Sequence, residues 1–341
     1  MIKKLKRLVH LVLDSLMLPA AWFAYVVSGR TAAWGGHAMI RLFCATGGHT
    51  NDWMARAVSA FYPPRRIPAV PGVIPALSAA QLEQCRADLD RDGYHVFEQR
   101  IPPEICDRLY QFGVTQPAVL RPVEGQKRER ILATYDQSRP RAICYDFVTG
   151  DLLANPDVQA ILADTSIISL AQAYLNTEPV LDAVCMWWQT AFQDTPDGEA
   201  AQLYHFDMDR IKWLKFFVYL TDVGTANGPH TFVQGSHRTG AIPRDLLRKG
   251  YVRLQDNEVE QHYPREKFVE FNAPRGTILA EDTRGLHKGK HVQSGGRLLL
   301  QIQFSSSMFG PSYVKNSLGK CVIPALVDKT KSNPRIYSAF S

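Results

Sequence analysis

The run Leu203-Tyr204-His205-Phe206-Asp207-Met208-Asp209 sets an imidazole and a carboxylate two positions apart. In an extended chain alternate side chains share a face, so His205 and Asp207 converge on one point. One imidazole with one carboxylate suits a hard-to-borderline ion such as Fe(II), provided that a second histidine completes a facial triad. Asp209 competes with Asp207 for that role but reaches the same ion less easily. A lone His-x-Asp arises by chance in many proteins, so the second histidine decides the matter.

His230, His237, His262, His287 and His291 are the downstream candidates. His287 sits in Gly285-Leu286-His287-Lys288-Gly289, after the strand-like 277–281 and before the strand that begins at Arg297. That spacing predicts a strand-connecting loop facing the metal. His291, in a basic turn with Lys288 and Lys290, reads as solvated or as support for the ligands, while His237 and Asn227 read as loop and turn anchors. Arg297 follows His287 by ten positions, inside Gly295-Gly296-Arg297-Leu298-Leu299-Leu300. A guanidinium whose stem enters an apolar strand requires an anion, because burying it unpaired is costly. A protein carboxylate is one such partner; a dicarboxylate cosubstrate, held bidentately, is another.

The elements that must position these groups are mostly short. Ser78 and Gln81 form a capping box for a helix to about Asp92, with Gly93 as its stop; Tyr94 to Phe97 then reads as a strand. Pro102-Pro103-Glu104 starts a helix through Phe112, and Asn155-Pro156 and Thr165-Ser166 start others, so helices dominate to about Leu175. Beyond it, 179–192, 212–223, 267–271, 277–281 and 297–305 are apolar or alternating runs divided by Gly, Asn and Pro turns. Such strands argue for a sandwich or barrel of the jelly-roll kind, an α+β protein with a mainly β core. Aromatics on them, among them Trp187, Trp188, Trp213, Phe216 and Phe217, read first as core and second as pocket walls.

Composition excludes several classes. With 45% hydrophobic and 21% charged residues, the 341-residue chain is neither disordered, collagen-like nor a multi-spanning membrane protein. Six cysteines without a CxxC pair fit reduced thiols in an intracellular protein better than a zinc ribbon or a disulfide scaffold. The net charge of +6 is uneven: residues 1–66 carry nine basic and two acidic side chains, a net +7, which leaves the other 275 residues at −1. The apolar stretch after MIKKLKR is interrupted by His10, Asp14 and Pro19. It suits a basic amphipathic helix on a membrane interface, with a single signal-anchor span and a helix packed on protein as the other readings. Only the N-terminal charge would support a nucleic-acid partner, and the aromatic-rich amphipathic pattern there favours lipid, so no nucleic acid is expected. Five prolines between Tyr62 and Pro75 place a boundary there.

Taken together, His205-x-Asp207, His287 and Arg297 resemble the Fe(II)- and 2-oxoglutarate-dependent oxygenases of the phytanoyl-CoA dioxygenase family. Leu214 to Val223 followed by Asn227-Gly228-Pro229, the Gly235-Ser236-His237-Arg238 loop, and Asp92-Gly93-Tyr94 with the helix from Pro103 agree with it. The resemblance covers about 78–307. It implies a double-stranded β-helix (jelly roll, cupin-like) with N-terminal supporting helices, and divides the chain into an extension and linker (1–75), a dioxygenase domain (76–307) and a tail (308–341). It also implies His205, Asp207 and His287 as catalytic iron ligands, and Arg297 as the group that binds the distal carboxylate of 2-oxoglutarate. Cys185-Met186-Trp187-Trp188 is implied as a wall of that pocket. Phe206 stands where some members carry glutamine. The implied reaction consumes O2 and 2-oxoglutarate, with ascorbate as a supporting reductant, and hydroxylates a small-molecule or lipid-like substrate. Asp207 argues against halogenation, since halogenating relatives replace it with a small residue. A jelly-roll protein that binds a ligand without turnover, or a metal enzyme that uses no keto acid, is the competing expectation. The expected location is cytoplasmic, with residues 1–30 peripheral on the inner face of a membrane.

Overall fold

Strand alternation in the apolar runs sorts side chains onto two faces, and the computed structural model shows what covers each. It describes residues 2–123, 125, 129–310, 317–319 and 321–340. The strands are β1 (Tyr94–Val96), β2 (Ala118–Arg121), β3 (Leu132–Ala133), β4 (Cys144–Asp146), β5 (Val180–Thr190), β6 (Trp213–Tyr219), β7 (His230–Val233), β8 (Phe268–Glu270), β9 (Ile278–Glu281), β10 (His287–Gly289) and β11 (Gly296–Ser305). One antiparallel sheet runs β1-β9-β6-β11-β5-β4-β2-β3; a smaller one runs β10-β7-β8. This is a two-sheet jelly-roll arrangement.

Helices α1 (Ile2–Ser28), α2 (Ala33–Thr46), α3 (His49–Phe61), α4 (Ala79–Asp92), α5 (Pro103–Thr115), α6 (Thr149–Ala154), α7 (Pro156–Leu162) and α8 (Thr165–Leu175) occupy the first half of the chain. The expected capping box at Ser78 forms, Gly93 closes α4 at φ 91°, and Asn155 and Asp164 cap α7 and α8 with their side chains. Phe216, Val218, Leu298, Leu300 and Ile302 on one face of the large sheet pack with α4–α8 in the main core. Phe217, Tyr219 and Leu299, on the opposite face, pack with Phe232 of the smaller sheet. Between the two sheets lies the cavity.

Helix α1 runs through Pro19 for 27 residues. Two differences from the sequence reading stand out. Strands β2, β3, β4, β7 and β10 are two to four residues long, too short to leave a periodic signal, and exist because a neighbour pairs with them. Residues at both ends of the chain pack on the body. In the tail, Ile336, Tyr337 and Phe340 are buried in the main core, and the Leu181 amide donates to the Ile336 carbonyl at 2.7 Å. In the N-terminal layer, Trp22 and Tyr25 meet Phe309, Phe43 lies 5.4 Å from Phe206 ring to ring, and Asn51 Nδ2 donates to the Ile211 carbonyl at 3.1 Å. Gly35 lets α1 and α2 approach closely, since a Cβ there would lie 2.5 Å from that of Ala21.

Candidate active site

His205 and Asp207 lie on an extended segment just before β6, where His205 forms an isolated bridge with His287 instead of the ladder strand that their alternation suggested. His205 exchanges both backbone bonds with His287 (3.0 and 2.9 Å), and the Asp207 amide donates to the Thr283 carbonyl at 2.8 Å. His287 belongs to β10, paired with β7, where a connecting loop was expected. The segment thus extends the smaller sheet by one bridge and brings the imidazoles to 4.2 Å between ring centroids.

One donor atom from each of His205, Asp207 and His287 lies within 4.8 Å of the other two, and all three residues are buried. The Nδ1 of each histidine faces a backbone carbonyl two residues back, Leu203 O and Gly285 O, both at 2.9 Å. A carbonyl only accepts, so Nδ1 carries the proton, and in the neutral ring Nε2 offers its lone pair. Those Nε2 atoms lie 3.7 and 3.5 Å from the Asp207 carboxylate oxygens. Ligating histidines are oriented in the same way, by a second-nitrogen bond that fixes the tautomer, and the group fits an iron site.

Electrostatics agree. Burial pushes His205 well below the ordinary histidine range, and neighbouring His287 adds to the shift, so the His205 imidazole is neutral. Burial alone would raise Asp207, but the Lys215 ammonium, then His287, hold it well below the usual carboxylate range. Burial opposes charge on His287 too, yet Asp207 raises it.

Lys215 escaped the sequence reading. Its Nζ donates to Asp207 Oδ2 at 2.5 Å and lies 3.2 Å from Asp209 Oδ2, so Asp209 pairs with this lysine. The signal was present: a cation inside Leu214-Lys215-Phe216-Phe217 is the same anomaly that singles out Arg297. His230 is the other residue in play. It lines the cavity and stacks on His287, but its Nε2 is engaged by Glu281 Oε1 at 2.9 Å, and burial pushes the Glu281 carboxyl up to about 8. His291 is half-buried beside Gln202, and His262 pairs with Asp245.

Arg297 shares a cavity of about 470 Å³ with the triad. It stands opposite Gln189 in the β11–β5 register and is 1% exposed. Its Nη1 donates to the Gly228 carbonyl and its Nη2 to Gln189 Oε1, while Nε has no partner. Among the described residues no carboxylate pairs with it, and burial lowers its pKa. A Cβ on Gly289 would press on both Gln189 and Arg297 at about 3.1–3.2 Å, so the glycine keeps this corner clear. An uncompensated guanidinium beside three metal donors fits a cosubstrate that chelates with one end and presents a carboxylate at the other.

The walls resolve the aromatic question. Cys185, Met186, Trp187 and Phe217 line the cavity. Trp188, Trp213 and Phe216 are core: Trp188 Nε1 donates to the Gly113 carbonyl and Trp213 Nε1 to Thr283 Oγ1, both at 2.7 Å.

Fold and donor set define a jelly-roll oxygenase of the Fe(II)/2-oxoglutarate-dependent class. The phytanoyl-CoA dioxygenase (PhyH) family model matches residues 89–298, and the chain belongs to that family. No curated protein matches by sequence. Solved structures similar to the chain include AviO1 from Streptomyces viridochromogenes Tue57, with 18% identity, 70% of this chain and 100% of that one covered, and a TM-score of 0.46. EctD from S. alaskensis with 2-oxoglutarate and 5-hydroxyectoine matches at 17%, over 72% and 82%, with 0.46. The epimerase SnoN with Fe3+, alpha ketoglutarate and nogalamycin RO matches at 17%, over 72% and 94%, with 0.47.

Proposed function

We propose that this protein hydroxylates an aliphatic C–H bond of a small-molecule or lipid-like substrate. His205, Asp207 and His287 hold Fe(II), and Arg297 holds the distal carboxylate of 2-oxoglutarate. Iron with this keto acid supplies oxidative decarboxylation coupled to oxygen insertion, so that substrate, 2-oxoglutarate and O2 become alcohol, succinate and CO2. The chain's own contribution is positional. Leu203 and Gly285 carbonyls fix both imidazoles with Nε2 inward, and Lys215 holds the Asp207 carboxylate in place through Oδ2. Gln189 and Gly228 brace Arg297 through two of its nitrogens. Trp187, Phe217 and Met186 supply apolar wall for a C–H-bearing substrate, and the retained Asp207 leaves no place for a halide ligand.

The observation that carries this reading is the open Arg297 in the same cavity as the triad, since a purely structural arginine would have found a carboxylate. The test is succinate release from 2-oxoglutarate with Fe(II) and ascorbate, first without substrate. Replacing His205 or Asp207 by alanine removes iron-dependent succinate, a loss of at least about 10³-fold. Absence of metal-dependent succinate from folded wild-type protein would favour the ligand-binding alternative.

A further inference from the structure

Between Val9 and Ser28, helix α1 has two unlike faces. Leu18 and Ala21 are buried against the body, Trp22 and Tyr25 pack on Phe309, and Asp14, 2% exposed, is bonded to Arg41 at 2.6 and 2.8 Å. On the opposite side Val12, Leu13, Leu16, Phe23, Val26 and Val27 remain 47–72% exposed. At 100° per residue these six fall within one continuous stripe. The one Asp, Glu, Lys or Arg from Val9 to Ser28 is Asp14, which lies on the covered face, and His10 is exposed. Scattered apolar residues are normal on a protein surface; a contiguous stripe over four helical turns marks an interaction site.

We infer that α1 docks this stripe on an anionic lipid bilayer, lying in the plane of the surface. Charge selects lipid as the occupant. Lys3, Lys4, Lys6 and Arg7 occupy the first two turns of α1 and Arg30 follows its end, which complements an anionic leaflet. Packing selects the in-plane orientation. The helix is long enough to span, yet spanning would pull Asp14 from Arg41 and strip Trp22 and Tyr25 from Phe309. The same N-terminal layer reaches the iron-site segment through Phe43 and Phe206, so the catalytic body rests on its own anchor.

The test is flotation of the full-length protein with vesicles of phosphatidylcholine containing about one-third phosphatidylglycerol. Binding is expected, weaker to pure phosphatidylcholine and reversed by alkaline carbonate. The L16E/F23E variant should lose at least about tenfold in partitioning while keeping its melting temperature and its substrate-free succinate formation. The inference is overturned if the wild type fails to bind anionic vesicles, or if the variant binds as well as the wild type. Carbonate-resistant insertion would overturn it in favour of a span. A lipid-free dimer that L16E/F23E dissolves would overturn it in favour of a second copy. Because succinate formation is read separately, none of these outcomes bears on the iron chemistry.

Discussion

The two ends of the β5–β11 pair each hold a fully buried arginine, and they are solved differently. At one end Arg210 Nε donates to Asp182 Oδ2 at 2.9 Å, and Ser305 and Gln303 bond the same carboxylate oxygen at 2.7 and 3.2 Å. Arg210 and Asp182 are 1% and 0% exposed at their side chains. At the other end Arg297 is just as buried but meets a carbonyl, an amide and the Tyr219 hydroxyl, and no carboxylate among the described residues. Equal burial with unequal compensation separates a fastener from a receptor. The first charge is neutralised by the fold; the second has no carboxylate among the described residues, and under the proposed function its anion is the cosubstrate's distal carboxylate.

Replacing one end should therefore damage stability and replacing the other should damage binding. Asp182→Ala, which strands Arg210, is expected to lower the unfolding free energy by about 3–5 kcal/mol in urea denaturation. The folded fraction should bind 2-oxoglutarate as before. Arg297→Met should do the reverse: 2-oxoglutarate binding weakens by about 2 kcal/mol, roughly 30-fold, in calorimetry on the iron-loaded protein. Metal-free stability should hold or rise by about 1 kcal/mol, as an uncompensated charge is gone. A large loss of stability there would mean that Arg297 is a second fastener, and the contrast between the ends would fail.

A smaller effect sharpens the same contrast. Gln189→Leu removes the brace on Nη2 without touching the guanidinium, so the KM for 2-oxoglutarate should rise by about 1 kcal/mol equivalent with little change in kcat. His291→Ala, near the cavity in sequence but bonded to Gln202, should stay within about 0.5 kcal/mol on stability and leave the KM unchanged.

Much of this was legible beforehand. His205, Asp207, His287 and Arg297 could be picked out because each is a polar group in an apolar or extended context, and because the four together match a family pattern. The long strands β5, β6 and β11 and the capped helices α4, α7 and α8 followed from periodicity and end signals. Lys215 carried the same signal as Arg297 and was passed over, since a cation in a strand does not say which carboxylate it meets.

By itself the sequence determined the donor set and the alternation that turns it inward, because residue type and backbone period are local properties. Only the tertiary structure decided that His287 meets His205 through a backbone bridge, that Gln189 faces Arg297, and that Asp182 closes on Arg210 and not on Arg297. Those outcomes depend on strand register and on residues 28 to 123 positions apart, where one slipped residue turns every side chain to the other face.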